Sequence, residues 1–187
     1  KISSLNGEFD IRDVINSLNE KMVRRHPHVF EKGQLNTPDQ VVKQWEEIKK
    51  EERNQANQKS ILDSIPMNLP SLVRAQKLQK KAAKEGFDWD QVSDVFNKLD
   101  EEITEFKKAV LEGKDKDIQN EVGDILFVIV NIAKFNKIDA EEALRSTNNK
   151  FTKRFQYIEQ KIAKKGKNLK ESSLEEMERY WQEAKNE

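Results

Sequence analysis

Two short acidic runs carry the chemistry that this sequence offers. In Glu101-Glu102-Ile103-Thr104-Glu105, Glu102 and Glu105 stand three residues apart, and Glu121-Val122-Gly123-Asp124 repeats that spacing. Residues three apart on a helix share a face in adjacent turns. Like charges so placed repel, and they need a counter-charge, full solvation or a cation. If the two runs lie on neighbouring antiparallel helices, Glu102, Glu105, Glu121 and Asp124 converge on an all-oxygen site. Hard oxygen donors select magnesium, manganese or calcium. With 34 acids in 187 residues such spacings also arise by chance, so the context decides. Asp124 runs directly into Ile125-Leu126-Phe127-Val128-Ile129-Val130, and Ile103 and Phe106 flank the acids of the first run. Carboxylates at the margin of a buried stripe are costly without a partner. The competing reading is a solvated acidic face neutralised by Lys98, Lys107 and Lys108. Gly123 favours the site, because glycine inside a helix costs about 1 kcal/mol against alanine and implies close approach of another backbone or a ligand.

Other chemistries find little support. A di-iron carboxylate centre needs Glu-x-x-His pairs, whereas His26 and His28 are the only histidines and stand far from the acids. His26-Pro27-His28 reads as a rigid surface turn. No cysteine is present, which excludes disulfides and thiolate metal sites and is compatible with a cytoplasmic setting. There is no Gly-rich phosphate loop and no recognisable Ser, His and Asp arrangement. Lys plus Arg equals Asp plus Glu at 34 each, so no overall field draws a nucleic acid polymer or an anionic membrane. The longest apolar run, Ile125 to Val130 and on to Ala133, falls far short of the roughly 20 residues that span a bilayer.

The elements that must position the acids read as helices throughout. Gly and Pro number only 6 and 4, and Glu, Lys, Leu, Ala and Gln abound, which predicts an all-α protein. Phe9, Ile11, Val14, Ile15, Leu18 and Met22 give an amphipathic helix within residues 1–25, ended by Pro27. Thr37-Pro38 predicts the next helix start. That helix runs through Trp45 and Ile48 and turns fully polar by Glu51, so residues 51–60 read as a solvated helix end and linker. Beyond Pro66 and Pro70, a helix carries Leu72, Val73, Leu78 and Ala82 to near Gly86. Asp88 or Asp90 is the expected cap of the helix that bears Glu102 and ends at Gly113. The helix from about Asp115 to Phe135 is apolar nearly all round in its second half, which predicts a buried central helix; its stripe exceeds what one small bundle needs, so part of it is expected to pack against a second chain in a homodimer. A helix from about Asp139 to Lys165 follows, and Ser172 or Ser173 starts the last. Four main helices with short connections predict an antiparallel bundle.

One internal repeat stands out. Asn19-Glu20-Lys21-Met22-Val23-Arg24-Arg25 parallels Asn148-Asn149-Lys150-Phe151-Thr152-Lys153-Arg154, and Trp45-Glu46-Glu47-Ile48-Lys49 parallels Trp181-Gln182-Glu183-Ala184-Lys185. The first copy reads as the back half of a unit without its front half. The chain opens at Lys1, inside sequence that already reads as helical, as expected of a piece of a longer chain.

At this point a family likeness appears. Glu-Glu-x-x-Glu followed by Glu-x-x-Asp on the next helix resembles the MazG nucleoside triphosphate pyrophosphohydrolases, members of the all-α NTP pyrophosphatases that include dimeric dUTPases. The likeness extends to Arg24–Phe30 (RRHPHVF), Trp45–Arg53 (WEEIKKEER), the Ile65-Pro66 to Leu69-Pro70 segment, Arg74–Trp89 (RAQKLQKKAAKEGFDW) and Asn148–Phe155 (NKFTKRF). It implies a four-helix-bundle-like catalytic unit over residues 56–187, preceded by the C-terminal part of a first unit over residues 1–55. It further implies magnesium, or manganese in its place, at Glu102, Glu105, Glu121 and Asp124. Lys98 and Glu101 would lie at the nucleotide, with Glu101, Glu102 and Lys98 in catalytic roles, and Lys150, Arg154 and Trp181 would contact it. Lys150 and Arg154, four apart on one helix face, suit phosphate oxygens, and Trp181 suits either a base or the anchoring of the last helix. The family can place a basic residue just before the second acidic motif; here Asp117, Ile118, Gln119 and Asn120 occupy that turn, with Lys114 or Lys116 nearby. The implied activity is hydrolysis of nucleoside triphosphates to monophosphates and pyrophosphate by a cytoplasmic homodimer. The alternative is a non-catalytic helical nucleotide-binding or protein-interaction module.

Overall fold

The computed structural model describes residues 6–30, 37–55 and 59–185. Every regular element among them is helical, so the all-α expectation holds. Two compact units divide the chain, Lys1–Ser64 and Ile65–Glu187.

In the first unit, α1 spans Ile11–Arg25, the short α2 Pro27–Phe30 and α3 Pro38–Gln55. Asp10 starts α1 with a capping box. Its carboxylate accepts from the backbone N–H groups of Arg12 and Asp13, and Asp13 returns a bond to the Asp10 N–H at 2.7 Å. The helix therefore begins at Ile11, and the part of its expected pattern in residues 1–5 lies outside the described residues. Pro27 ends it, with a His26 ring nitrogen 2.8 Å from the Met22 carbonyl, which fits a turn rather than a metal ligand. Thr37 caps α3 through the Gln40 N–H at 3.3 Å. The helix continues to Gln55, further than its loss of apolar residues suggests, and residues 56–58 lie outside the described residues.

Charge, more than apolar burial, joins α1 to α3, because no residue of α1 is buried. Arg24 donates from Nε and Nη2 to one oxygen of Glu52, at 2.9 and 2.6 Å, and Arg25 donates to the other at 3.1 and 2.5 Å. The guanidinium of Arg25 also lies 5.9 Å from the centre of the Trp45 ring. Hydrogen bonds from Arg25, and then from Arg24, outweigh desolvation and hold the Glu52 carboxyl down at about 2, from an ordinary 4.5. A depressed acid stabilises the fold fully above pH 4.5, and that contribution fades as the pH falls towards 2. Glu52→Gln is expected to lower the stability of this unit by on the order of 2 kcal/mol at neutral pH, since charge-assisted bonds are lost and Arg24 is solvent-screened. Melting of both proteins across the acid range checks this: the gap should close on acidification, and a pH-independent gap would contradict it.

The second unit holds α4 (Ser71–Lys84), α5 (Val92–Glu112), α6 (Asp115–Phe135), α7 (Ala140–Ala163) and α8 (Leu174–Glu183). Gly113, at φ 68°, closes α5 in the left-handed conformation that favours glycine. Gly113 and Lys114 alone separate α5 from α6, and the two pack along each other as a hairpin. Asp139 caps α7 and Ser173 caps α8. The expected Asp88 or Asp90 cap of α5 does not form. Gln91 occupies that position without a side-chain bond, and Asp88 instead pairs with Lys134 of α6 at 2.5 Å. Gln76 and Gln79 tie α4 to its neighbours, donating to the carbonyls of Ile138 and Phe127, each at 2.7 Å. Val95 and Val130 are fully buried, and Ile158, Ile162 and Tyr180 form the core beneath α8.

The expectation of a buried α6 is corrected. Only Val128 and Val130 of that helix are buried; Val122, Leu126, Phe127 and Ile129 are about half exposed. Three helices cannot surround a helix that is apolar on every side. Gly123 also differs from expectation within this chain, since nothing lies within 4 Å of where its Cβ would stand.

Candidate metal site and its surroundings

The α5–α6 hairpin sets the register of the acids. Glu105 stands eight residues before Gly113 and Glu121 eight after it; Glu102 and Asp124 stand eleven away on either side. Equal helical rise on both arms puts each such pair at one level. Glu102, Glu105 and Glu121 each bring a carboxylate oxygen within 4.8 Å of the others. Ligand oxygens around one magnesium stand about 3.0 Å apart when adjacent and about 4.2 Å when opposite, so the three carboxylates lie close to the spacing that a shared ion needs. Asp124 is exposed and stands outside that closest group, yet its charge acts on Glu121.

The electrostatics show a group in which negative charge outweighs positive charge. Partial burial raises the pKa of Glu121 above 4.5, and the charges of Glu105, Glu102, Asp124 and Asp117 push the same way. A raised acid favours the fold below pH 4.5 and loses that advantage as the pH rises through its shifted value. Ionisation of Glu121 is therefore opposed by its surroundings, and a cation beside it would offset that opposition. Glu102 is the most buried of these acids, at 6% exposure. Its partner is Lys98, one turn earlier, whose Nζ lies 2.8 Å from an oxygen of Glu102 and 2.8 Å from one of Glu101. The bond to Glu101, and then that to Glu102, hold the Lys98 ammonium charged well above the usual lysine range. The five residues Lys98, Glu101, Glu102, Glu105 and Glu121 thus form one group.

Of the expected basic and aromatic residues, Arg154 on α7 and Trp181 on α8 come together. Lys150 is exposed, and neither it nor Arg154 has an ion pair among the described residues. The Arg154 guanidinium lies 5.5 Å from the centre of the Trp181 ring. Trp181 packs against the core of Ile158, Ile162 and Tyr180, so it anchors α8 while it carries Arg154. Sequence reasoning missed Phe151, which meets Trp181 at 5.3 Å and stacks on Phe155 at 6.0 Å. The four-residue spacing of those two phenylalanines was the available signal.

A family model described as the MazG nucleotide pyrophosphohydrolase domain matches residues 1–30 and 90–158, and the second stretch contains all four acids. The chain belongs to the MazG family. It is 42% identical over 183 residues to a nucleoside triphosphate pyrophosphohydrolase of Escherichia coli (strain K12), covering 96% of this chain and 69% of that protein. It is 40% identical to a nucleoside triphosphate pyrophosphohydrolase/pyrophosphatase MazG of Thermotoga maritima, covering 99% and 69%. It is also 50% identical to the uncharacterized protein YabN of Bacillus subtilis (strain 168), covering 96% of this chain and 37% of that one. No described helix is long and apolar enough to cross a membrane.

Proposed function

We propose that this chain hydrolyses nucleoside triphosphates to nucleoside monophosphates and pyrophosphate, with magnesium held by Glu102, Glu105, Glu121 and Asp124. The observation that carries the reading is the convergence of three carboxylates within 4.8 Å on the α5–α6 hairpin of a MazG-family chain. The donor set is all oxygen, which suits magnesium and its usual substitute manganese. Asp124 is included because it stands level with Glu102 across the hairpin and loads the same site with charge.

Magnesium bound there supplies charge neutralisation for the triphosphate and a lowered pKa for the attacking water. Lys98, Lys150 and Arg154 bind phosphate oxygens and offset the charge that develops in the transition state. Trp181 offers ring surface to the base. Glu101, half exposed beside Lys98, or another carboxylate of the cluster orients the water and accepts its proton as the new bond to the α-phosphorus forms. The bond from that phosphorus to the bridging oxygen breaks in line, and pyrophosphate leaves. No covalent intermediate is needed.

Residues 1–55 read as the back half of a first MazG-like unit that lacks its acidic motif. Two observations support this: Arg25 over Trp45 at 5.9 Å parallels Arg154 over Trp181 at 5.5 Å, and the family model has a separate match at residues 1–30. The half-exposed apolar face of α6 supports a homodimer, since patches of this kind mark interaction surfaces. Nucleoside triphosphates as substrate fit a cytoplasmic setting.

The test is a panel of ribo- and deoxyribonucleoside triphosphates assayed with magnesium. Equal amounts of pyrophosphate and monophosphate are expected, with release abolished by a chelator. Orthophosphate as the first product, or release that survives chelation, would overturn the reading.

A further inference from the structure

The most buried acid of the proposed metal site is already neutralised from within the chain. We propose that Lys98 is the resident counter-ion of that site: its ammonium holds the position at Glu102 that a divalent cation takes, and it must release Glu102 for the cation to bind. This rests on the metal-site reading above.

Glu102 exposes only 7% of its side chain and bonds the Lys98 Nζ at 2.8 Å, and Lys98 itself is 32% exposed. A carboxylate so buried is costly without a cation beside it. In the metal-free protein Lys98 meets that need, one turn back on the same helix. A divalent ion at Glu102 removes the need and repels the ammonium at close range. The lysine stem is flexible, with rotatable donors, and Glu101 already holds the same Nζ at 2.8 Å from a more exposed position, 55% against 7% for Glu102. Lys98 thus has a second holder on the solvent side when it leaves Glu102. From there it faces an incoming polyphosphate, so cation and nucleotide favour each other's binding. A plain surface ion pair would behave differently: its removal would leave the affinity for the metal almost unchanged.

The experiment titrates Mn2+, without nucleotide, into wild type, Lys98→Met, Lys98→Arg and, as a control for the loss of an exposed lysine on the same helix, Lys108→Met, following binding by calorimetry. Lys98→Met is expected to bind Mn2+ about tenfold more tightly, because no internal cation has to be displaced. Lys98→Arg and Lys108→Met are expected to stay within about twofold of wild type. The metal-free Lys98→Met protein should melt below wild type, and saturating Mn2+ should remove most of that gap. If Lys98→Met loses its helical circular dichroism, Lys98→Gln replaces it, with the same direction expected. Affinity for Mn2+ that is unchanged or weaker in a folded Lys98 variant overturns the counter-ion role alone and leaves the metal site standing. Absence of Mn2+ binding in wild type and variant alike overturns the metal site and this inference with it.

Discussion

Glu102→Gln is expected to abolish metal-dependent release of pyrophosphate while the helical circular dichroism stays at its wild-type level. The substitution keeps the shape of a side chain that is only 6% exposed, so no cavity opens and packing is conserved. It removes the charge of the most buried acid in the group. An amide oxygen is a far poorer ligand for a hard divalent cation than a carboxylate. Loss of the charge weakens the site that orients the triphosphate, and a fall in kcat/KM of at least about a thousandfold is expected. Stability should move the other way or hardly at all, because the Glu102 charge is among those that push the Glu121 carboxyl upward. Lys98 keeps its bond to Glu101 at 2.8 Å. The combination of lost turnover, retained helix and unreduced melting temperature separates a ligand from a structural residue. Normal turnover in this variant with magnesium present would contradict the site.

What the sequence made legible was local, and what it hid was set by packing. The acids could be paired because helical spacing is a property of the chain alone, and Gly113 marked the turn that brings the two pairs together. Asp139, and the pair Ser172 or Ser173, were readable as helix starts because a short polar side chain before an apolar run has few other uses. Asp88 misled for the opposite reason. Its side chain was claimed by Lys134, forty-six residues away, and no local rule foresees that competition. The burial of α6 was legible only in part, because an apolar run reports what a helix needs to cover and leaves open how much of it the same chain covers. The role of Lys98 was half visible: the sequence offered it with Lys107 and Lys108 as a neutralising charge, and only the fold singles it out by burying Glu102 beside it. Phe151 escaped notice because its partner, Trp181, lies on another helix.

The exposed stripe of α6 leads to the second large effect. Val122, Leu126 and Ile129 follow one another at helical spacing, with Phe127 alongside, and each is between 42% and 50% exposed. Complete burial of such a side chain is worth about 1.5–3 kcal/mol, so covering the remaining half of four of them on each of two protomers yields roughly 6–12 kcal/mol before the cost of association. A twofold arrangement sets the same patch against itself. The stripe adjoins Glu121 and Asp124 on the same helix, and Gly123 between them leaves open space in this chain that a neighbouring backbone can approach. Leu126→Glu combined with Ile129→Glu would place four carboxylates across the axis without partners. Like charges desolvated in this way cost several kcal/mol, enough to exceed the gain. The expected result is a shift in sedimentation mass from two chains to one chain of 21.9 kDa, with helical content retained because both positions are half exposed in the single chain. Turnover should fall by at least about tenfold, since half of the face that steadies α6 beneath Glu121 and Asp124 is removed. Should the variant keep the mass and activity of wild type, this face is not the interface. A wild type that sediments as one chain at micromolar concentration would remove the dimer altogether, and the apolar surface of α6 would then need another explanation.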